Sequence, residues 1–254
     1  MFVLAKFKKG NFNGKNTSFM ITKKELKEIN LLGTKKGRKM QQHFVVEGKK
    51  SVAEFRAEGF HQRALYSIAS TPHEGAVLVT ENEMQKMSFL KNASPLLGVF
   101  AIPQHKTIPL KGRILILDQV ADPGNLGTII RICDWFGIKH IIGSLDTVDC
   151  YNPKVVQASM GSLARVECHY LDLNAFFSSD QRPVYGTYLT GTSIYNTNLP
   201  EDALLVMGSE ANGISDKVSS FIDHKITIPR KASNGPESLN VAIATALILG
   251  QIAR

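Results

Sequence analysis

The second half of the chain alternates short apolar runs with longer segments of helical periodicity, and this alternation limits the fold more than any other feature. The apolar runs predict strands at 113–120, 138–142, 164–171, 183–190, 203–208 and 224–229. Helices are predicted near 126–137, 153–163, 173–179, 214–222 and 238–253. Strands and helices in this order form a mostly parallel, doubly wound sheet. Residues 113–254 are therefore predicted to be one α/β domain.

A smaller α/β unit is predicted ahead of this domain, over residues 20–103. Thr22 and Glu25 stand in a capping-box pattern that starts a helix, and "HFVVEG" then predicts a strand. The following residues contain proline and glycine without apolar periodicity, so 104–112 is predicted to be a linker. Residues 1–19 match no element, and we expect a disordered lead-in or a misassigned start.

Composition restricts the class of protein and its compartment. Apolar residues make up 43% of the chain and charged residues 20%, as in ordinary globular proteins. No run approaches the roughly 18 apolar residues of a membrane span, and the opening residues lack a signal-peptide pattern, so a cytoplasmic location is predicted. Cys133, Cys150 and Cys168 form no CxxC pair and are predicted to be reduced thiols. The histidines show no ligand spacing, and we expect no metal.

The charge of the chain is concentrated at its amino-terminal end. Residues 1–60 carry 14 Lys and Arg against 5 Glu, whereas residues 61–254 carry 16 basic and 17 acidic residues. A basic lobe joined to a neutral one indicates a polyanionic partner for the first part of the chain. A merely solvated charged face is the alternative. The candidate contacts lie in "KKGRK" and are Lys35, Lys36, Arg38 and Lys39.

The stretch "DPGNLGTIIR", residues 122–131, follows an apolar strand and opens a helix. Gly124 lets the backbone approach a neighbour, and Asn125 is predicted to cap the helix, whose free N–H groups suit an anion. Arg131 lies off the apolar stripe of the helix, where a solvated arginine is the alternative to a functional one. The pattern Gly-x-x-Gly lacks the third glycine of a dinucleotide fingerprint, which disfavours a nicotinamide enzyme.

A second stretch, "LLVMGSEANGIS" at 204–215, carries another candidate site. A buried strand runs into a loop bracketed by Gly208 and Gly213, which is how an open α/β sheet makes a ligand pocket at its carboxyl edge. Glu210 lies within this loop, and capping of the next helix is the alternative role for its side chain.

The third stretch runs from "ITIPRKASNGPESLN" into the last helix, which is apolar almost all round. Ser238 and Asn240 open that helix, and they are either functional residues or caps alone. A helix that is apolar on most sides needs cover from its own sheet, and a second subunit is a natural source of the remainder.

In this order and spacing, the three stretches resemble the three motifs of the SpoU-type (TrmH-like) RNA ribose methyltransferases of the SPOUT superfamily. "NLGTIIR" matches the first motif at Asn125 and Arg131, and "MGSEANGI" matches the second. "IP…SLNVA" matches the third at Ile228, Pro229, Ser238, Leu239 and Asn240. Residues 20–103 also resemble the small substrate-binding domain that precedes the catalytic domain in many members.

The resemblance implies a fold, a cofactor and an assembly that periodicity alone does not give. The carboxyl-terminal part of the domain would form a deep trefoil knot that binds S-adenosylmethionine. The enzyme would be a homodimer with its active site between the subunits. The implied catalytic residues are Asn125, Arg131, Glu210, Ser238 and Asn240, and the implied cofactor-binding residues are Thr187, Leu189, Gly191, Gly208, Gly213, Ile228, Pro229 and Leu239.

The implied reaction is methylation of a ribose 2′-hydroxyl, a group that RNA has and DNA lacks. The appended small domain favours ribosomal RNA over transfer RNA, by analogy. A non-catalytic RNA-binding or assembly protein, and an enzyme that methylates a base, are the alternatives. Two departures from the family pattern affect the site. The loop 230–237 is longer than usual and has Arg230 where Met is common, and Gln157 stands where Arg is expected.

Overall fold

The computed structural model describes residues 21–104, 107–232, 234 and 236–253, which form two compact units. The first unit contains the described residues up to Pro103 together with Tyr151–Gln157, and the second contains the rest of the described chain. The segment 151–157 thus joins the first unit from the middle of the sequence. The predicted lead-in, residues 1–19, lies outside the described residues.

The first unit is built on a four-stranded sheet with the strand order β1-β4-β2-β3. β4 runs antiparallel to both of its neighbours, and β2 runs parallel to β3. The strands are β1 (His43–Glu47), β2 (Gln62–Ile68), β3 (Val77–Val79) and β4 (Leu96–Ala101). The helices are α1 (Lys23–Leu31), α2 (Lys35–Gln41), α3 (Lys49–Ala57) and α4 (Glu81–Met87).

Aromatic side chains fill part of this unit's core. The ring of Phe44 on β1 packs edge-on against Phe55 on α3 with the ring centroids 5.3 Å apart, and both side chains are fully buried. Tyr151 lies against the same Phe44 ring, with a centroid distance of 4.6 Å. This contact explains why 151–157 belongs to the first unit, since burial of large aromatic surface stabilises such an attachment.

Helix α2 contains the basic run singled out from the sequence. Lys35, Lys36 and Lys39 are exposed. Arg38, in contrast, is 2% exposed, and its Nη1 donates a hydrogen bond to the carbonyl oxygen of Leu32 at 2.8 Å. The prediction that Arg38 contacts RNA was therefore wrong, because its guanidinium is buried and bonded to the backbone of the same unit.

The second unit contains a six-stranded sheet that is parallel throughout the described residues, which confirms the predicted α/β architecture. The strand order is β10-β8-β9-β5-β6-β7. The strands are β5 (Ile114–Leu117), β6 (His140–Gly143), β7 (Glu167–Tyr170), β8 (Val184–Ser193), β9 (Leu204–Met207) and β10 (His224–Thr227). The helices are α5 (Pro123–Trp135), α6 (Pro153–Ala158), α7 (Leu173–Ser179), α8 (Asp216–Ser219) and α9 (Val241–Ile252), α6 lying mainly in the first unit. The trefoil knot stays a prediction.

Two structural findings bear on the composition arguments. All three cysteines are buried free thiols, and burial raises the pKa of Cys133 and of Cys150 above its ordinary value. Both are therefore neutral at physiological pH. Within the described part of the chain, no helix has the length and apolar character needed to cross a membrane.

Candidate functional site

Helix α5 begins earlier than its sequence predicts, and this changes the role of Asn125. The cap is Asp122, whose Oδ1 accepts a hydrogen bond from the backbone N–H of Asn125 at 2.8 Å, and Pro123 is the first helical residue. Both residue types favour these positions. The prediction that Asn125 caps the helix was therefore wrong, and its side chain is available to other parts of the unit.

A chain of hydrogen bonds through Asn125 joins the three motifs. Asn125 Nδ2 donates to Oε1 of Glu210, which follows β9. Asn125 Oδ1 accepts a hydrogen bond from Asn240 Nδ2 at 2.9 Å, at the start of α9. The partners lie 85 and 115 residues away from Asn125 along the chain. The fold thus brings one residue of each motif into a single hydrogen-bonded group.

The loop after β9 owes its shape to two glycines. Ser209 and Gly213 exchange two backbone hydrogen bonds, of 3.0 and 2.9 Å, which close a tight turn with Glu210 on its exposed side. A Cβ on Gly208 would lie 2.1 Å from the carbonyl carbon of Gly213, so no other residue fits. Gly213 itself has φ of +67°, in the region that favours glycine. The glycine spacing of the second motif therefore holds Glu210 in place.

The third motif has Asn240 as the cap of α9. Its Oδ1 accepts hydrogen bonds from the N–H groups of Ala242 and Ile243, at 2.9 and 3.2 Å, while its Nδ2 reaches Asn125. The oxygen of the Asn240 side chain thus caps the helix, while its nitrogen contacts Asn125. Ser238, two residues earlier, is exposed.

An open cleft of about 640 Å³ lies at the carboxyl ends of β5, β6 and β9. It is lined by Gln119, Ala121, Asp122, Asn125, Asp146, Ser209, Glu210, Ala211 and Asn212. The loops after neighbouring parallel strands meet at this edge, which is where such sheets bind ligands. Asp122 and Gln119 were not predicted as site residues. Asp122 is recognisable as a cap after a strand, whereas the left-handed backbone of Gln119, with φ of +59°, has no sequence signal.

Arg131 is not one of the described residues that line this cleft. It follows Asn125 by six residues on α5, which corresponds to about 9 Å along a helix axis. Its side chain is exposed on the same helix as Trp135, which is 84% exposed. One chain therefore does not bring Arg131 together with the Asn125 group.

Apart from Gly208 and Gly213 in the loop after β9, the predicted cofactor-binding residues lie elsewhere in the unit, several of them around a break in the pairing of β8 with β10. Lys225 pairs with Gly186, but the next residue, Ile226, pairs with Thr192, so 187–191 lie between the two paired segments. The Thr227 hydroxyl donates to the carbonyl oxygen of Leu189 at 3.1 Å and ties this segment to the end of β10.

This part of the edge has features that suit a nucleoside. Leu189, within the segment 187–191, is 74% exposed, so an apolar side chain lies at the surface beside backbone groups that β10 leaves unpaired, and Leu239 of the third motif is 47% exposed. Gly191 is required by a close approach, because a Cβ there would lie 2.5 Å from the carbonyl oxygen of Lys225. The remaining predicted residues differ in exposure: Ile228 is half-buried and Pro229 is exposed. An apolar surface beside backbone donors and acceptors fits an adenosine group.

Comparison with known proteins gives consistent results over both units. Residues 112–250 match the model of the SpoU rRNA Methylase family, and residues 23–98 match the MRM3-like substrate binding domain. A Bacillus subtilis protein named as a 23S rRNA guanosine 2′-O-methyltransferase is 27% identical over 89% of this chain and 94% of its own length.

Solved structures agree with this match. A Porphyromonas gingivalis chain assigned as an RNA methyltransferase of the TrmH family superposes with a TM-score of 0.83 at 40% identity, over 92% of this chain and 98% of that one. A Sinorhizobium meliloti rRNA methyltransferase, solved with S-adenosylmethionine bound, gives a TM-score of 0.79 at 27% identity, over 92% and 97% of the two chains.

The parallel α/β unit with its motif-lined carboxyl edge, preceded by a small substrate-binding unit, defines a two-domain methyltransferase of the SPOUT class. The chain belongs to the SpoU rRNA methylase family. It is accordingly an S-adenosylmethionine-dependent RNA methyltransferase.

Proposed function

We propose that this enzyme methylates a ribose 2′-hydroxyl in structured RNA, with ribosomal RNA favoured over transfer RNA. The hydrogen-bonded group of Asn125, Glu210 and Asn240 carries the proposal, because it unites polar residues of all three motifs beside an open cleft. The Bacillus subtilis relative is named for 2′-O-methylation of 23S rRNA, which supports the same reaction and substrate class here.

Arg131, Asn125, Glu210, Ser238 and Asn240 are the proposed catalytic residues. Bound S-adenosylmethionine supplies a methyl group already activated by a sulfonium. Arg131 is poorly suited to act as a base, because a guanidinium stays protonated in proteins, with a pKa above about 12. We assign it instead to a forked contact with the phosphate next to the target ribose, which leaves phosphate or water to accept the hydroxyl proton.

The Asn125 group would hold the substrate in line for transfer. The Glu210 carboxylate accepts a hydrogen bond from Asn125 Nδ2, and Asn240 Nδ2 donates one to Asn125 Oδ1, so both ends of the Asn125 side chain are fixed. Ser238 is exposed beside Asn240 and is assigned to a substrate contact. The cofactor would be held by Thr187, Leu189, Gly191, Gly208, Gly213, Ile228, Pro229 and Leu239, mainly through backbone groups.

A homodimer is proposed to complete the site. Arg131 is exposed and absent from the cleft of its own chain, so it is free to reach the cleft of a second copy. Leu239, just before the cap of α9, and Ile243 and Leu247 on the helix recur every four residues and are 47, 53 and 44% exposed. Such an apolar stripe is typical of a face that another subunit covers. No metal is assigned to the methyl-transfer reaction.

The first unit is proposed to bind RNA through the exposed lysines of α2, Lys35, Lys36 and Lys39. Each phosphate contact contributes to the salt dependence of affinity, with a slope of log K against log salt of roughly 0.7 to 0.9 per contact. Replacing the three lysines with alanine should lower that slope by about 2. An unchanged slope would remove this face from the RNA site. Arg56→Ala, a cation on α3 outside the α2 group, is the matched control.

The function is tested by transfer of labelled methyl from S-adenosylmethionine to total rRNA and, separately, total tRNA from cells that lack this gene. Digestion to nucleosides then separates ribose from base methylation. The proposal expects labelled 2′-O-methyl nucleosides from rRNA, formed about 10²- to 10³-fold more slowly with Arg131→Ala. Label on a base, or in tRNA alone, would contradict it. Cofactor binding without transfer to either pool would favour a non-catalytic RNA-binding role.

A further inference from the structure

Three potential metal ligands lie together on the six-stranded sheet. His140 is the first residue of β6, and Glu167 and His169 lie on the neighbouring edge strand β7. The parallel register pairs His140 with Glu167 and Ile142 with His169. Because side chains alternate between the faces of a strand, all three side chains project from one face. One donor atom from each residue lies within 4.8 Å of the other two.

The separation of the two imidazoles matches a tetrahedral zinc site. His140 Nδ1 lies 3.4 Å from His169 Nε2. Two nitrogens bound to one tetrahedral zinc ion, each at about 2.0 to 2.1 Å, are about 3.3 to 3.4 Å apart. A hydrogen bond between the same two nitrogens is the alternative that needs no ion. Because the two imidazole nitrogens are already at this distance, the Glu167 carboxylate is the group that would move to coordinate the ion. Its side chain is half-exposed and has several rotatable bonds.

The position on the sheet separates this group from the cleft. His140 and Glu167 begin their strands, at the amino ends, whereas the cleft lies at the carboxyl ends of β5, β6 and β9. His169 is 3% exposed, and His140 and Glu167 are half-buried, so two of the three side chains reach the surface. A water molecule can therefore occupy the fourth position of a tetrahedral ion.

We propose that His140, Glu167 and His169 bind one Zn²⁺ that links the edge strand β7 to β6. Two imidazoles and a carboxylate are a donor set that zinc accepts in proteins. Such an ion would fasten β7, which pairs with β6 alone among the described strands. The proposal revises the expectation of no metal, which rested on the spacing of the histidines along the chain. His140 and His169 lie 29 residues apart, so their spacing does not indicate a shared site. It is independent of the methyl-transfer reaction.

The test uses the full-length protein without a polyhistidine tag, because a tag binds zinc itself. The protein is stripped with a chelator, dialysed against a series of Zn²⁺ concentrations, and its metal content is measured by mass spectrometry. We expect one Zn²⁺ per chain. Co²⁺ added to the stripped protein should give the intense visible absorption of tetrahedral cobalt. Absence of saturable binding near one ion per chain would overturn the proposal.

Variants identify the ligands. His140→Ala and His169→Ala should each weaken Zn²⁺ binding by more than about tenfold. Glu167→Gln keeps the size of the side chain and should also weaken binding in a protein whose circular dichroism is unchanged. His61→Ala, an exposed histidine of the first unit, and Cys168→Ser, on the other face of β7, should bind as the wild type does. Equal binding by the ligand variants and these controls would also overturn the site.

Discussion

Helix α5 carries two groups of candidate site residues, which differ in how complete they are within one chain. At its beginning, Asn125 is bonded to Glu210 and to Asn240, so residues distant in sequence are already assembled. Six residues after Asn125, Arg131 shares an exposed face of the helix with Trp135, and neither is among the described residues that line the cleft. This difference is the basis for the proposal that one subunit assembles the Asn125 group and that Arg131 completes the site of a second subunit.

Substitutions in the two groups test this division, and the largest effect is expected at Arg131. Arg131→Ala should lower the rate of methyl transfer by about 10²- to 10³-fold, because it removes the charged group assigned to the substrate phosphate. The affinity for S-adenosylmethionine, measured by calorimetry, should be unchanged. Lys217→Ala, an exposed cation on α8, should retain full activity. A cofactor affinity that falls with the rate would place Arg131 in the cofactor site instead.

Arg131→Lys separates charge from the forked geometry of the guanidinium. A lysine keeps the charge but offers no planar pair of donors. We therefore expect a rate well below that of the wild type. Near-normal turnover would exclude any requirement for a forked contact.

Leu247→Glu should have the next largest effect, by placing a charge in the apolar stripe of α9. A buried unpaired carboxylate is costly, so the dimer should dissociate to monomer in sedimentation experiments, with loss of most methyl transfer. Leu110→Glu changes another leucine, which is 83% exposed. This variant should sediment as a dimer and keep full activity. If Leu247→Glu became monomeric with full activity, the second subunit would not be needed.

Asn240 offers a pair of variants that separate capping from the site. Asn240→Ala removes both functions and should lower the free energy of unfolding by about 1 kcal/mol in urea titrations. Asn240→Asp keeps a capping oxygen but loses the amide that donates to Asn125. The protein should keep its stability while the rate falls by about tenfold. A loss of this size corresponds to one hydrogen bond between neutral groups. Full activity of Asn240→Asp would mean that this hydrogen bond has no catalytic role.

Glu210→Gln should have the smallest effect, a loss of a few-fold in rate. The glutamine oxygen still accepts from Asn125, but without the strength of an ionised acceptor. Glu210→Ala, which removes the acceptor, should lose more activity, as measured under the same single-turnover conditions. Equal rates for the two variants would show that the negative charge matters and the hydrogen bond does not.

Local patterns explain what could be predicted from the sequence. The alternation of strands and helices and the apolar stripe of α5 follow from periodicity, which is local, and both agree with the structure. The cap of α5 was misassigned because both Asp122 and Asn125 are favoured cap residues, and only the structure shows which side chain bonds the backbone. Burial of Arg38 also has no local signal, since Lys36 and Lys39 in the same run are basic and exposed.

Contacts between distant segments account for the rest. The bond between Asn125 and Asn240 joins residues 115 apart, and it could be anticipated only through the family motifs. The attachment of Tyr151 to Phe44 and the grouping of His140 with His169 lie in no motif. Both depend on the tertiary fold, so periodicity and spacing carried no information about them.

Complementation between two inactive variants tests the shared site most directly. Arg131→Ala and Asn125→Ala proteins, each inactive alone, would be mixed in equal amounts and allowed to exchange subunits before methyl transfer is measured. Half of the dimers would be mixed, and each would contain one site with Arg131 and Asn125 both intact, so about a quarter of the wild-type activity should return. No recovery, despite exchange demonstrated by mass spectrometry, would mean that Arg131 and Asn125 act within one chain.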